Sequence, residues 1–179
     1  MKGFFRIIAL VSALAGGSNL AAEATNLLAN KAPVSLELRD QFDAPQKLSF
    51  PSTHVTLLTI ADKQGSGQLE EWIAPVKKRF GSRIDIRGLA DVSAVPRALR
   101  GLVLREFRKL ITYPVMMDWS GAAVKAFTHV PGQANVLVLN RQGVIVHRLS
   151  GRATAVEIRN LCVVIDQALA ATNTLSEAR

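Results

Sequence analysis

The segment Tyr113–Gly151 constrains the fold of this 179-residue chain more than any other stretch. It begins with a short apolar run that ends in an acid, Val115–Asp118, followed by Trp119–Phe127, which has helical spacing. After a Pro/Gly break come two β-branched runs, Val136–Leu139 and Val144–His147, separated by the turn sequence Asn-Arg-Gln-Gly. Two apolar runs split by such a turn predict an antiparallel hairpin. The segment is therefore predicted to form strand, short helix, strand, turn and strand.

The residues before this segment alternate between predicted strands and predicted helices. A run of β-branched and apolar residues, His54–Ala61, predicts a central strand that is buried on both faces. The spacing of apolar residues then predicts a helix from about Gln68 to Phe80, and Arg83–Leu89 alternates as a half-buried strand. A second helix starts near Pro96 and runs to about Ile111, with an inner face formed by Leu99, Val103, Phe107 and Leu110.

Two further patterns complete the order of elements. Ser35–Arg39 and Lys47–Phe50 flank a turn and predict a small amino-terminal hairpin. Near the other end, Thr154 and Glu157 have the spacing of a capping box, in which each side chain accepts a free backbone N–H group. Strands that alternate with helices and end in a hairpin and a helix predict an α/β fold. We expect a mixed central β-sheet with helices on both faces.

The segment Tyr113–Gly151 resembles the carboxyl-terminal half of the thioredoxin-like redoxins, the peroxiredoxins and TlpA-like thiol–disulfide oxidoreductases. In those proteins a "yPvllD–G–akay" segment precedes a "tflidrdG" hairpin and a final helix, and here the matching stretches are YPVMMDWSGAAVKAF and VLVLNRQG. The resemblance spans roughly Ser35–Ala171 and implies a single thioredoxin-like domain. Residues 172–179 are then predicted to form a frayed tail.

The residues that carry redox chemistry in the redoxins are absent. The resemblance implies a C-x-x-C pair or one peroxidatic cysteine where the central strand meets the next helix, since a helix amino terminus lowers a thiol pKa. A gapless alignment places the two cysteine positions on Gln64 and Gly67, whereas alignment on Pro75 moves the window to Gly67–Glu70. Neither register supplies a thiol. The position of the family's cis-proline falls on Ala134.

No other residues form a recognisable catalytic set. The single cysteine, Cys162, lies among apolar residues of the last helix, so we expect an unreactive core thiol and no internal disulfide. The three histidines, at 54, 129 and 147, lack the paired spacing of metal ligands. Ser66 is more typical of a helix cap than of a nucleophile. The sequence therefore indicates no metal, no cofactor and no catalytic residue, and favours a non-enzymatic role.

One candidate ligand site lies just after the central strand. It combines a cation, a hydroxyl group and a glycine-rich backbone at a predicted helix amino terminus, in the residues Lys63, Gln64, Gly65, Ser66 and Gly67. Such an arrangement can hold a small anion or a carboxylate. Glycine–serine loops of this length are also common as plain connections. Both interpretations stay open at the level of sequence.

The amino terminus has the pattern of an export signal. Two basic residues precede the apolar run Ile7–Ala15, and Ala22–Ala24 offers the small-x-small pattern of a cleavage site. We interpret residues 1–24 as a signal peptide and residues 25–34 as a lead-in, which predicts a periplasmic mature protein. The alternative is an uncleaved anchor, but the run falls short of the ~20 residues of a membrane-spanning helix. We expect no transmembrane span after cleavage.

Positive charge is concentrated in one part of the chain. Of the 22 Lys and Arg residues, ten lie between Lys77 and Lys109, against three acidic residues. Such a concentration is typical of a solvated helix face or of a surface that meets an acidic protein or anionic lipid. The predicted partner-binding patch comprises Arg97, Arg105, Arg108 and Lys109. The chain has no recognisable nucleic-acid-binding module, which argues against nucleic acid as its partner.

The leading hypothesis from the sequence is an exported, redox-inactive, thioredoxin-like protein that binds another envelope protein. A second hypothesis is a small-anion site, or an enzyme that uses no cysteine, at Lys63–Gly67. A third is association with an anionic membrane surface through the basic segment. The sequence does not determine the identity of the partner or the oligomeric state.

Overall fold

The computed structural model describes the backbone of residues 30–176 and the side chains of residues 30–171. The predicted signal peptide lies outside these residues. Short 3-10 turns flank two of the helices, at Ser66–Gln68, Gly81–Arg83 and Arg97–Leu99. The strands and α-helices follow one another in the order that the sequence predicted: β1 (Ser35–Arg39), β2 (Pro45–Ser49), β3 (Val55–Ala61), α1 (Leu69–Phe80), β4 (Ile84–Asp91), α2 (Arg100–Leu110), β5 (Val115–Asp118), α3 (Ala122–Ala126), β6 (Asn135–Leu139), β7 (Ile145–Ser150) and α4 (Ala155–Ser176).

The main sheet has five strands in the order β5-β4-β3-β6-β7. β3, β4 and β5 run parallel, whereas β6 pairs antiparallel with β3 and β7 pairs antiparallel with β6. β1 and β2 form a separate antiparallel hairpin, which a bridge between Asp40 and Met116 joins to β5. This arrangement confirms the predicted mixed sheet with helices on both faces and a small hairpin outside it.

The alternation of side chains along β3 and β6 builds a core on each face of the sheet. Every residue of β3 is buried. On one face, Leu58 and Ile60 pack with Phe127 and with apolar residues of the hairpin. On the other face, Val55 and Leu57 pack beneath helices α1 and α4, which contribute Trp72, Val76, Leu161, Cys162 and Ile165. The run His54–Ala61 is thus central, because its side chains are part of the hydrophobic core on each face of the sheet.

Helix α2 covers the β4–β5 side of the sheet less completely than its sequence predicted. Val103 and Phe107 pack on a third cluster, around Val115 and Met117, as expected. The prediction that Leu99 and Leu110 also face inward was wrong, because they are 48% and 80% exposed. No residue of α2 is fully buried. The spacing of apolar residues predicted a wider buried face for α2 than the edge of the sheet can cover.

Two helix starts show how side chains set the element boundaries. The predicted helix Trp119–Phe127 is shortened to α3, because Gly121 adopts a left-handed conformation and Asp118 accepts the N–H groups of Ser120 and Gly121. The capping box before α4 is confirmed, with Thr154 Oγ1 accepting the Glu157 N–H at 3.2 Å and Glu157 Oε2 accepting the Thr154 N–H at 3.0 Å. Helix α4 continues to Ser176, into the segment predicted to fray.

The structure contains no helix, among residues 30–176, that is long and apolar enough to cross a membrane.

A fully buried glutamine fixes the hairpin to the main sheet. Gln41 Nε2 donates to the carbonyl oxygens of Ile111, at 3.1 Å, and Tyr113, at 2.7 Å. Its Oε1 accepts the Val115 N–H at 2.9 Å. The Arg108 guanidinium, in turn, donates to the Gln41 carbonyl oxygen. The turn of the hairpin therefore holds the end of α2 and the start of β5 together.

Substitution Gln41→Ala leaves three backbone groups without their partner, and we expect it to lower the free energy of unfolding by roughly 3 kcal/mol. Urea denaturation followed by circular dichroism measures this change. The exposed Gln142 provides the control, since Gln142→Ala removes an amide that lies on the surface of a turn. Equal stabilities of the two variants would contradict the role assigned to Gln41.

Candidate functional site

Three aspartates lie at the carboxyl-terminal ends of the three parallel strands. Asp62 follows β3, Asp91 ends β4 and Asp118 ends β5. Each carboxylate accepts backbone N–H groups from the residues that come after it, so each one shapes the loop that leaves the sheet. In open sheets with parallel strands this edge is where ligands and reactive groups are placed. This edge of the sheet is therefore the candidate site.

Asp62 joins two loops at this edge. Its Oδ1 accepts the N–H groups of Gln64, at 2.9 Å, and Gly65, at 2.8 Å, while its Oδ2 accepts the Gly132 N–H at 2.7 Å. Burial alone would raise the pKa of Asp62, but the three N–H donors and the nearby His129 outweigh it and hold the pKa below its usual range. The carboxylate thus connects the loop after β3 to the loop before β6.

Gly65 and Gln68 are the residues of the first loop that meet residues 133 and 134. A Cβ atom on Gly65 would lie 2.2 Å from the carbonyl oxygen of Gln133, so the close approach of the two backbones requires glycine. Gln68 Oε1 accepts the Ala134 N–H at 3.1 Å. Ala134 is the position where the resemblance implies a cis-proline, and the cis bond among the described residues lies elsewhere, at Phe50–Pro51.

A histidine–aspartate pair, which the sequence did not indicate, lies beside these loops. His129 Nε2 is 3.2 Å from Asp91 Oδ2, and the two side chains are only 9% and 15% exposed. Asn135 holds the same loop from the other side, accepting the Val130 N–H at 2.6 Å and donating to the carbonyl oxygen of Val130 at 2.9 Å. Residues 129 and 91 are far apart in sequence, and the topology of the sheet brings them together.

The predicted ligand loop Lys63–Gly67 forms a compact turn that leads into α1. Its N–H groups at Gln64 and Gly65 donate to the Asp62 carboxylate, and the Ser66 N–H donates to the Asp62 carbonyl oxygen. The Ser66 hydroxyl donates to the carbonyl oxygen of Lys63. These donors already have partners within the chain, which leaves fewer of them for an incoming anion. The side chains of Lys63 and Gln64 are exposed.

The predicted basic patch lies on and just before α2, along the outer edge of the molecule. Arg105 and Lys109 are exposed and lie 3.8 Å and 3.0 Å from the carboxylate of Glu106. Arg97 is exposed in the turn before the helix. Arg108 has a structural contact, because its guanidinium donates to the Gln41 carbonyl oxygen. All four residues of the patch are therefore exposed, and Arg108 also fastens the helix to the hairpin.

Cys162 is buried in the core between α4 and the sheet, as predicted. Burial raises the pKa of its thiol, and Asp166 adds to this effect while Arg79 opposes it. A protonated, buried thiol is a poor nucleophile. Within residues 30–176 no group of three or more His, Cys, Asp or Glu side chains is placed to hold a metal ion.

The close approach of the loops at Gly65 predicts that alanine destabilises the protein at position 65 but not at position 67. Gly65→Ala forces the two loops apart and should lower the free energy of unfolding by about 2 kcal/mol, a typical penalty for overpacking. Gly67→Ala should be neutral within about 0.5 kcal/mol, since a Cβ atom there meets nothing within 4 Å. Thermal and urea denaturation of both variants measure the difference. Equal stability of the two would show that the loops do not touch at Gly65.

The carboxylate of Asp62 predicts a pH-dependent contribution to stability. Because its folded pKa is lowered, its contribution is present above the usual pKa of about 4 and is lost as the pH falls through the folded value. Asp62→Asn should therefore cost roughly 1 kcal/mol at neutral pH, and less as the solution is acidified. Urea titrations across this range measure the change, with the surface variant Asp85→Asn as control. A pH-independent cost would contradict the assignment.

Comparison with known proteins identifies the fold. No family model and no curated protein matches the sequence. Among solved structures, a candidate thiol:disulfide interchange protein DsbE from Chlorobium tepidum is similar at a TM-score of 0.60 and 16% identity, covering 78% of this chain and 96% of the other. The exposed lipoprotein thioredoxin Etrx1 from Streptococcus pneumoniae is similar at a TM-score of 0.59 and 13% identity, and the match covers 74% of this chain and 98% of the other. StoA from Bacillus subtilis is similar at a TM-score of 0.54 and 15% identity, and the match covers 73% of this chain and 97% of the other. The chain therefore has a thioredoxin-like fold.

Proposed function

We propose that this chain is an exported thioredoxin-like protein without thiol redox activity, which binds another protein of the cell envelope. The observation that carries the proposal is the identity of the two residues, Gly65 and Gln68, that contact Gln133 and Ala134. Gly65 and Gln68 are three residues apart, the spacing of a C-x-x-C pair, and neither has a thiol. The single cysteine of the chain, Cys162, belongs to α4 and is buried where that helix packs on the sheet.

The contact at Gly65 also opposes a return to redox chemistry by simple substitution. A cysteine there would place its Cβ atom 2.2 Å from the Gln133 carbonyl oxygen, so the loops would first have to separate. Gln68 fills the other position, and its side-chain Oε1 accepts the Ala134 N–H. These contacts support a rigid site in which the approach of the two backbones leaves no room for a cysteine side chain at position 65.

The same loops offer a surface suited to a protein partner. Val130 is 41% exposed, and the exposed side chains of Lys63 and Gln64 lie on the loop that Asp62 ties to Gly132. A surface that is already ordered loses little conformational entropy when a partner binds. The export pattern at residues 1–24 and the thioredoxin-like fold support a location in the envelope. The extracytoplasmic location and the partner are both parts of the proposal.

The proposal predicts an absence of thiol chemistry. The purified chain should neither reduce insulin disulfides nor consume hydrogen peroxide above the buffer rate, and Cys162→Ser should leave both readings unchanged. The thiol should also react with 5,5′-dithiobis(2-nitrobenzoate) much more slowly in the native protein than in denaturant, because it is buried and protonated. Turnover that disappears in Cys162→Ser would overturn the proposal.

The binding surface is tested by photo-crosslinking in the producing cell. A photoreactive amino acid at Gln64 or Val130 should form adducts with a defined envelope protein, whereas the same residue at Val156, which is exposed on α4, should not. Gly65→Ala should reduce the adducts from Gln64, since it separates the two loops. Equal crosslinking from all three positions would mean that the contact is unspecific and would contradict the assigned surface.

A further inference from the structure

We propose that the outer side of α2 is a docking surface for an anionic lipid bilayer. The surface consists of Leu102 and Leu110 on the helix and Leu99 in the turn before it, with Arg105 and Lys109 at the spacing that places them next to Leu102. Arg97 lies in the same turn as Leu99, and we call the whole surface the leucine face. It differs from the loops assigned to a protein partner, which follow β3 and precede β6, because α2 packs against β4 and β5. The proposal therefore goes beyond the binding of a protein partner and does not depend on it.

The leucine face is apolar where a solvated helix would be polar. Leu99 and Leu102 are each 48% exposed and Leu110 is 80% exposed. Their spacings of three and eleven residues place them along one side of the helix. Nearby, Phe42 is 45% exposed on the hairpin turn that Gln41 fixes to the end of α2. Large apolar side chains are thus presented together along one edge of the molecule.

Charge identifies the occupant of this surface. Arg105 and Lys109 keep 66% and 61% of their side chains exposed, although both lie near Glu106. Arg97 adds a third cation, so the positive charge exceeds the single carboxylate between them. A helix with leucines on one side and Lys and Arg beside them lies in a membrane interface, where its leucines enter the acyl boundary and its cations meet phosphates. Leucines that are spread along an exposed helix favour a lipid bilayer, which adapts to their positions, over a groove of fixed shape in a protein.

The packing of α2 is compatible with this role. None of its residues is fully buried, so its outer side does not supply the core. The helix stays in place through Val103 and Phe107, which pack inward, and through the Arg108 contact with the Gln41 carbonyl oxygen. The outer leucines and cations can therefore be changed without removing the contacts that hold the helix.

Flotation with lipid vesicles tests the proposal, using the protein in the form recovered from the producing cell. Vesicles of phosphatidylcholine with about one third phosphatidylglycerol should bind the protein at least tenfold more tightly than vesicles of phosphatidylcholine alone. High salt should release it, because the attraction of the cations is screened. Equal binding to both kinds of vesicle would overturn the proposal.

Two paired variants locate the surface. Leu102→Ser with Leu110→Ser should weaken binding about tenfold, whereas Val156→Ser with Val163→Ser, two exposed valines of α4, should not. Arg105→Glu with Lys109→Glu should weaken it at least as much, whereas Lys47→Glu with Arg152→Glu, of the same net charge, should have a smaller effect. Equal losses in the control variants would place the contact elsewhere and overturn the proposal.

Sedimentation velocity without lipid distinguishes a bilayer from a second copy of the chain. The proposal expects the same sedimentation coefficient for the parent and for Leu102→Ser with Leu110→Ser. A dimer that the leucine substitutions dissociate would overturn it in favour of self-association. Circular dichroism establishes that each variant is folded, and the charge variants test the same surface if the serine variants are not.

Discussion

The geometry of the candidate site depends on one carboxylate, that of Asp62. It accepts two N–H groups from its own loop and one from Gly132 across the sheet edge, so it determines both the shape of the first loop and its distance from the second. The close contact of Gly65 with Gln133 follows from that distance. The carboxylate is charged at neutral pH, which strengthens each of these bonds, and its lowered pKa keeps it charged further into the acid range.

Much of the fold could be predicted because periodicity reflects burial. β3 is buried along its whole length and consists of apolar residues and two threonines, since both of its faces are covered. The carboxyl-terminal hairpin follows from two β-branched runs around a turn. The same reasoning failed at α2, where Leu99 and Leu110 have the right spacing for an inner face but little sheet beneath them. Spacing describes the helix alone, whereas burial depends on what the helix is placed against.

The contacts of the site were harder to predict, because they join residues that are distant in sequence. Composition indicates the loop Lys63–Gly67, but the residues on either side of it, Asp62 and Gln68, bond to Gly132 and Ala134. Those bonds depend on the pairing of β3 with β6. His129 and Asp91 gave no signal as a pair, since one is in a loop and the other ends a strand. Gln41 resembles any turn residue in sequence, and only its burial reveals its structural role.

The absence of a thiol from the loop after β3 and the presence of Asp62 there have a common physical basis. In a redoxin, the N–H groups near the start of the helix favour a thiolate, because they and the helix dipole stabilise negative charge there. In this chain an anion is still present at that place, but it is a carboxylate of the loop itself, accepting the N–H groups of Gln64 and Gly65. A carboxylate is charged at neutral pH without assistance from its surroundings and cannot form a disulfide. Negative charge at this place is thus held by a group without thiol chemistry, which fits the proposed binding surface of fixed shape.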